Sequence, residues 1–164
     1  MGKQAKTNAM RYLEKCKVAY TAHEYPHEDG VAVDGVTVAH SLNEDVAEVF
    51  KTLVTQGADR NYYVFVIPVA EELDLKAAAR SVKQKSVAMI PVAEINKVTG
   101  YIRGGCSPVG MKKQFVTVFD NSALEREKMY VSGGRIGTQV CCAPKDLIAA
   151  ARATTSDLIF HRAD

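Results

Sequence analysis

The chain has 164 residues, 47% hydrophobic and 24% charged, a balance that excludes disorder or a fibrous repeat and gives one domain, residues 1–164, a sizeable core. A formal net charge of +2 excludes the uniformly basic surface of many nucleic-acid-binding chains, so any anion-binding face has to come from local clustering. No apolar run approaches the length of a membrane span and Met1–Lys6 lacks a leader's apolar core, so the cytoplasm is the expected location, with no membrane partner.

Thr7 and Asn8 can cap a first helix whose apolar positions Ala9, Met10, Leu13 and Cys16 share a side. Alternation over Val18–Tyr25 predicts a strand ending at Pro26. Ser41-Leu42-Asn43-Glu44 reads as a capping box opening a short helix that buries Leu42, Val46, Val49 and Phe50. From Lys51 the period changes, and Lys51–Gln56, a Gly57–Asn61 turn and Tyr62–Val69 form a predicted hairpin. Asp74 caps a helix over Leu75–Val82, on which Lys76, Arg80 and Lys83 recur at i, i+4 and i+7; that basic stripe fits a solvated face or phosphate contacts.

Val87–Ile90 is a short strand, and Pro91 opens a helix carrying Val92, Ile95 and Val98 inward. Gly100–Lys113 follows, with four glycines, Ser107-Pro108 and three cations; composition fits both a tight bend and a cradle of main-chain N–H groups. After the strand Phe115–Phe119, Asp120-Asn121-Ser122 turns into a brief helix, and Met129–Val131 leads as a strand into a second cluster, Ser132–Gly137. Thr138–Cys142 leads out as the other half of a hairpin, Pro144 opens a last helix with Leu147, Ile148 and Ala151 inward, and Asp157–Phe160 adds an edge strand. Many short strands broken by helices predict an α+β fold, a mostly antiparallel, curled or barrel-like sheet with peripheral helices.

The chemistry is read partly by what is missing. His23, His27, His40 and His161 show no metal-ligand spacing, the four cysteines form no CxxC, and neither a Gly-x-Ser-x-Gly elbow nor a phosphate-binding P-loop occurs; no metal and no cofactor are expected. Cys106 sits in the glycine loop near Arg103 and Lys112, where a thiolate is conceivable, but no partner base is identifiable. Lys51 is left as the notable cation: it fits a helix side pairing with Glu48, or a strand on which it and Leu53 share one face while Thr52 and Val54 share the other.

Taken together, Val49-Phe50-Lys51-Thr52-Leu53, Thr99-Gly100-Tyr101, Gly104–Gly110, Lys112-Lys113 and Tyr130–Gly134 resemble the YbaK/EbsC family of stand-alone aminoacyl-tRNA editing proteins, relatives of the editing domain of bacterial prolyl-tRNA synthetases. The resemblance spans nearly the whole chain and implies trans deacylation of Cys-tRNA(Pro), extending to Cys-tRNA(Cys), beside prolyl-tRNA synthetase, with the substrate's own thiol attacking its ester to leave as a thiolactone. It implies Lys51 as the functional lysine, with Tyr25, Thr52, Gly104, Gly105, Ser107, Pro108, Ser132, Gly133 and Gly134 around the aminoacyl-adenosine. Lys76, Arg80, Lys83, Lys112 and Lys113 are the candidates for tRNA phosphates. Where the cysteine-specific members carry an aspartate beyond the Ser-Gly-Gly segment, this chain has Gln139, which leaves open another small misacylated amino acid. A tRNA 3′-end or nucleotide-binding module without turnover is the reading from a different class.

Overall fold

Thr7 begins the architecture with two bonds from one hydroxyl: its Oγ1 accepts from Met10 N at 3.1 Å, capping the helix α1 (Asn8–Lys15), and donates to Gly133 O at 2.5 Å. A helix cap is thereby also a tertiary tie to the second glycine cluster. The computed structural model describes residues 5–161, so Met1–Gln4 of the stretch read for a leader lie outside it. Ala9, Met10 and Leu13 are buried as expected, whereas Cys16 lies past the helix end and is exposed.

In chain order the elements that follow are β1 (Thr21–Glu24), α2 (Gly35–Ser41), β2 (Phe50–Gly57), β3 (Tyr62–Pro68), α3 (Leu75–Ser81), β4 (Val87–Met89) and α4 (Ile95–Thr99). Then come β5 (Val116–Asp120), β6 (Met129–Arg135), β7 (Thr138–Cys142), α5 (Pro144–Ala150) and β8 (Thr154–Ser156). The strands form two sheets, one ordered β1-β7-β6 and the other β4-β2-β3-β5-β8. Pairing is antiparallel except β3 with β5 and β5 with β8, which are parallel. The expectation of a barrel-like sheet is corrected: the two sheets stay open and pack face to face, touching edgewise through an isolated bridge between Val49 and Tyr130.

Strand alternation explains the layers. On β3, Val64 and Val66 face the main core between the sheets, while Tyr63, Phe65 and Ile67 face a second core under α3. A strand covered on both sides has no polar face, which is why Tyr62–Ile67 reads as one apolar run. Met129, Val131, Val140 and Cys142 supply the opposing sheet's inner face, and α1 and α5 close the main core with Leu13 and Leu147. Each fully buried Val, Leu or Phe contributes about 1.5–3 kcal/mol relative to exposure. The β2–β3 turn is held by Asp59, which accepts from Asn61 N at 2.9 Å and Tyr63 Oη at 2.6 Å.

The capping box at Ser41 is wrong. The helix has already run from Gly35, capped by Asp34, whose carboxylate accepts from Thr37 N at 3.1 Å; Ser41 ends it, its hydroxyl donating back to Thr37 O at 2.9 Å. Asn43 takes a positive φ of 54°, and a separate 3-10 turn over Val46–Glu48 is capped by Asp45. Leu42 and Val46 are only half-buried. Elsewhere Val92 is exposed on a 3-10 turn ahead of α4, and β8 lies at Thr154–Ser156, just before the stretch expected to form the edge strand.

Asp120 joins β5 to the final segment. It is 2% exposed; Oδ1 accepts from Leu158 N at 2.9 Å, and Oδ2 accepts from Ser122 N at 3.1 Å and Ser122 Oγ at 2.6 Å. Asp120→Ala is therefore expected to lower the unfolding free energy by about 3 kcal/mol in urea titrations, with Asp120→Asn losing less. A loss below about 1 kcal/mol for the alanine variant would show that this carboxylate does not anchor the segment.

Candidate functional site

At the seam between the sheets lies a cavity of about 130 Å³. Its walls come from five regions: Tyr25 just after β1, Val38 of α2, Lys51 and Thr52 of β2, Gly104 and Cys106 of the first glycine segment, and Ser132 and Gln139 of β6 and β7. Val33, Val49, Phe50 and Val69 make the rest largely aliphatic. Lys51 is the one residue with a formal charge among those lining it. Half-buried, it forms no salt bridge with any of the described residues, so the pairing with Glu48 is not made.

The two glycine segments meet as expected, but by packing on each other. A Cβ on Gly105 would stand 2.8 Å from Arg135 Cα and 2.9 Å from Arg135 C, so only a residue without a side chain permits this approach of backbone to backbone. Gly104, at φ 87°, is similarly pressed against Ala32, and Ser132 Oγ donates to Gly104 O at 3.4 Å. The second cluster is not a free loop: it is strand with an irregular register between Ser132 and Arg135, where Gly133 backs onto Thr138 and Gly134 onto Thr7.

Of the residues singled out in the sequence, Tyr25, Lys51, Thr52, Gly104, Ser132 and Gln139 are brought together on the cavity wall. Gly105, Gly133 and Gly134 stand behind it as packing positions, and Ser107 is fully buried, its Oγ accepting from Val109 N at 3.4 Å. Pro108 lines a different cavity, of about 220 Å³, together with Lys112 and Lys113. Lys112 Nζ donates to Lys97 O at 3.3 Å. The predicted stripe of Lys76, Arg80 and Lys83 is broken: Lys76 and Arg80 are exposed on α3, but Lys83 lies beyond its end at φ 57°.

Sequence reading missed the aliphatic wall contributed by Val33, Val38 and Val69, because α2 was not recognised. Asp34 three residues ahead of Thr37, followed by Val38-Ala39, was the available signal.

Burial sets the protonation states. It raises the Tyr25 phenol, so that group stays neutral, and pushes the Cys106 thiol up to about 12 against a weaker opposing bond to Thr99. The cavity wall thus offers an ammonium, neutral hydroxyls and an amide, with no carboxylate or imidazole on it to act as a general base. Two of its polar atoms, Thr52 Oγ1 and Gln139 Oε1, are buried with no hydrogen-bond partner among the described residues. Unsatisfied buried polar groups are uncommon in folded proteins, so two on one cavity wall call for a physical reason.

Residues 31–150 match the model of the aminoacyl-tRNA editing domain. The chain is 43% identical over 147 residues to an Enterococcus faecalis protein provisionally named the Cys-tRNA(Pro)/Cys-tRNA(Cys) deacylase EbsC, covering 89% of this chain and 88% of that one. Among solved structures, one provisionally described as a trans-editing enzyme for prolyl-tRNA synthetase superposes with a TM-score of 0.80 at 24% identity, covering 96% of this chain and all of the other. A hypothetical protein superposes with a TM-score of 0.83 at 23% identity, over 93% and 99% of the two chains. At such identities the structures establish the shared fold.

The thiols give a direct check on the site's electrostatics. A group raised to about 12 is thiolate in only about one molecule in ten thousand at pH 8, because neutrality persists until pH climbs toward the raised value. Ellman's reagent on the native protein is expected to titrate exposed Cys16 rapidly and half-buried Cys141 more slowly, with buried Cys106 and Cys142 reacting after denaturation. A fast native thiol abolished by Cys106→Ser would mean that Cys106 is activated.

Proposed function

This chain belongs to the aminoacyl-tRNA editing domain family, the YbaK family, and is an aminoacyl-tRNA deacylase; we propose that its substrate is cysteine esterified to tRNA(Pro), extending to Cys-tRNA(Cys). The observation that carries the reading is a small, mostly aliphatic cavity whose one formal charge is Lys51 and whose wall holds no general base. Such a site suits a reaction in which the nucleophile arrives with the substrate.

In the proposed reaction the cysteinyl Sγ attacks its own ester carbonyl. An S–C bond forms, the C–O3′ bond breaks, the thiol proton is lost to solvent, and the ribose O3′ leaves with a proton, giving a four-membered thiolactone and free tRNA. Lys51 serves as the cation that stabilises charge on the carbonyl oxygen or on the departing O3′. Gly104 and Ser132 confine the ribose end, and Val38, Val49 and Val69 hold the small side chain near its carbonyl. The buried, neutral Cys106 thiol has no covalent role in this scheme. With a net charge of only +2, capture of the tRNA is assigned to help from prolyl-tRNA synthetase in the cytoplasm, with Lys112, Lys113, Lys76 and Arg80 as secondary phosphate contacts.

Deacylation of Cys-tRNA(Pro), S-methylcysteinyl-tRNA(Pro), Ala-tRNA(Pro) and Pro-tRNA(Pro) tests the scheme. Cysteine is expected to be released, the S-methyl ester to survive, and Lys51→Ala to lower kcat/KM by about 100-fold or more, the scale of losing a preorganised charge. Release of alanine in preference to cysteine would reassign the enzyme to another small amino acid and refute thiol attack. Salt-sensitive tRNA binding with no ester cleavage would refute deacylation of these substrates and favour a binding module.

A further inference from the structure

Gln139 is 4% exposed on β7 and lines the cavity, yet its Oε1 has no hydrogen-bond partner among the described residues. Next to Gln139, off the cavity wall, sits a residue with no assigned part in the chemistry. Glu44, the glutamate of the misread capping box, lies half-buried beside the Gln139 amide. The contact falls short of a well-formed hydrogen bond, and Glu44 Oε1 is itself buried without a partner among the described residues.

Burial raises the Glu44 pKa, outweighing the bond to the Gln139 amide and the attraction of Lys128, both of which lower it, while repulsion by Glu48 acts in the same direction as burial. Lys128 is also engaged elsewhere, its Nζ standing 5.9 Å from the centre of the Tyr130 ring.

An amide has one donor end and one acceptor end. With the Nε2 end drawn to the Glu44 carboxylate, the Oε1 end is left to the cavity, and the carboxylate behind it aligns the amide dipole to receive a cation. Lys51, on the same wall, supplies only donors. The site therefore matches a small ligand that carries an acceptor for Lys51 and a positively charged donor for Gln139, which is the pattern of a carbonyl and a free α-ammonium.

We propose that Glu44 is a positioning residue that fixes the Gln139 amide so that its oxygen receives the α-ammonium of the aminoacyl ester, making the site selective for an unblocked amino group. This rests on the reading of the substrate as an aminoacyl-adenosine end.

The test uses two uncleavable amide analogues, 3′-(2-aminobutanoyl)amido-3′-deoxyadenosine and its butanoyl counterpart, which differ only in the amine. By calorimetry the wild-type protein is expected to bind the amine-bearing analogue about tenfold more tightly. Glu44→Ala and Glu44→Gln are expected to bring the preference within about twofold while leaving butanoyl affinity unchanged. A merely structural role would weaken both analogues together. The proposal is overturned if the wild type shows no preference, if either variant keeps it, or if both analogues lose affinity equally. Melting curves establish folding, and the near-isosteric glutamine variant carries the test if the alanine variant unfolds.

Because the analogues are not cleaved, failure of the deacylation assay with an intact amine preference would refute the reaction and keep Glu44's role. Deacylation without amine preference would do the reverse.

Discussion

The close approach of two stretches of main chain underlies the site. Gly105 lies so near the Arg135-Ile136 backbone that a methyl group in place of its hydrogen would overlap three main-chain atoms. Backbone atoms cannot rotate aside as a flexible side chain does, so the contact fixes how far the first glycine segment sits from β6. It also holds Gly104 beside Ser132, the two hydrogen-bonded neighbours that both lie on the cavity wall. Thr7 reinforces the arrangement from a third direction, because the hydroxyl that starts α1 also grips Gly133.

Where regular structure follows from a local pattern, the sequence was legible. The β2–β3 hairpin, the Asp74 cap of α3, the β6–β7 pair and the proline-led α5 all carry signals contained within a few residues, and all stand where expected. Ser41-Leu42-Asn43-Glu44 failed because the same residue types serve the opposite end of a helix: a serine can bond back to the preceding turn as readily as forward. Barrel closure failed for another reason. Whether two sheets join along an edge depends on long-range pairing, and here a lone bridge at Val49 and Tyr130 takes the place of a ladder.

The candidate site shows the same division. Lys51, Tyr25, Thr52 and Gln139 were named from family resemblance, and they converge although up to 114 positions separate them. What the residues alone could not show was the function of the glycines. Composition leaned toward a bend over a ligand cradle, and the geometry makes Gly105, Gly133 and Gly134 spacers for backbone and side-chain packing behind the wall. Pro108 and Lys112 line a separate cavity, the chain bending over Pro108–Gly110 just past fully buried Ser107.

The polarity of the cavity then has a physical logic. A cation placed among aliphatic walls loses hydration, and its attraction to an oxygen is far stronger there than in water, because the effective dielectric constant falls from about 80 toward about 20 or less. A second ionised group on the wall would neutralise that field before any substrate arrived. Keeping Tyr25 and Cys106 protonated through burial, and holding the Glu44 carboxylate behind an amide instead of in contact with Lys51, leaves the lysine's field for the ligand. The amide relays the carboxylate's influence as a dipole, which orients a donor without cancelling the charge of Lys51.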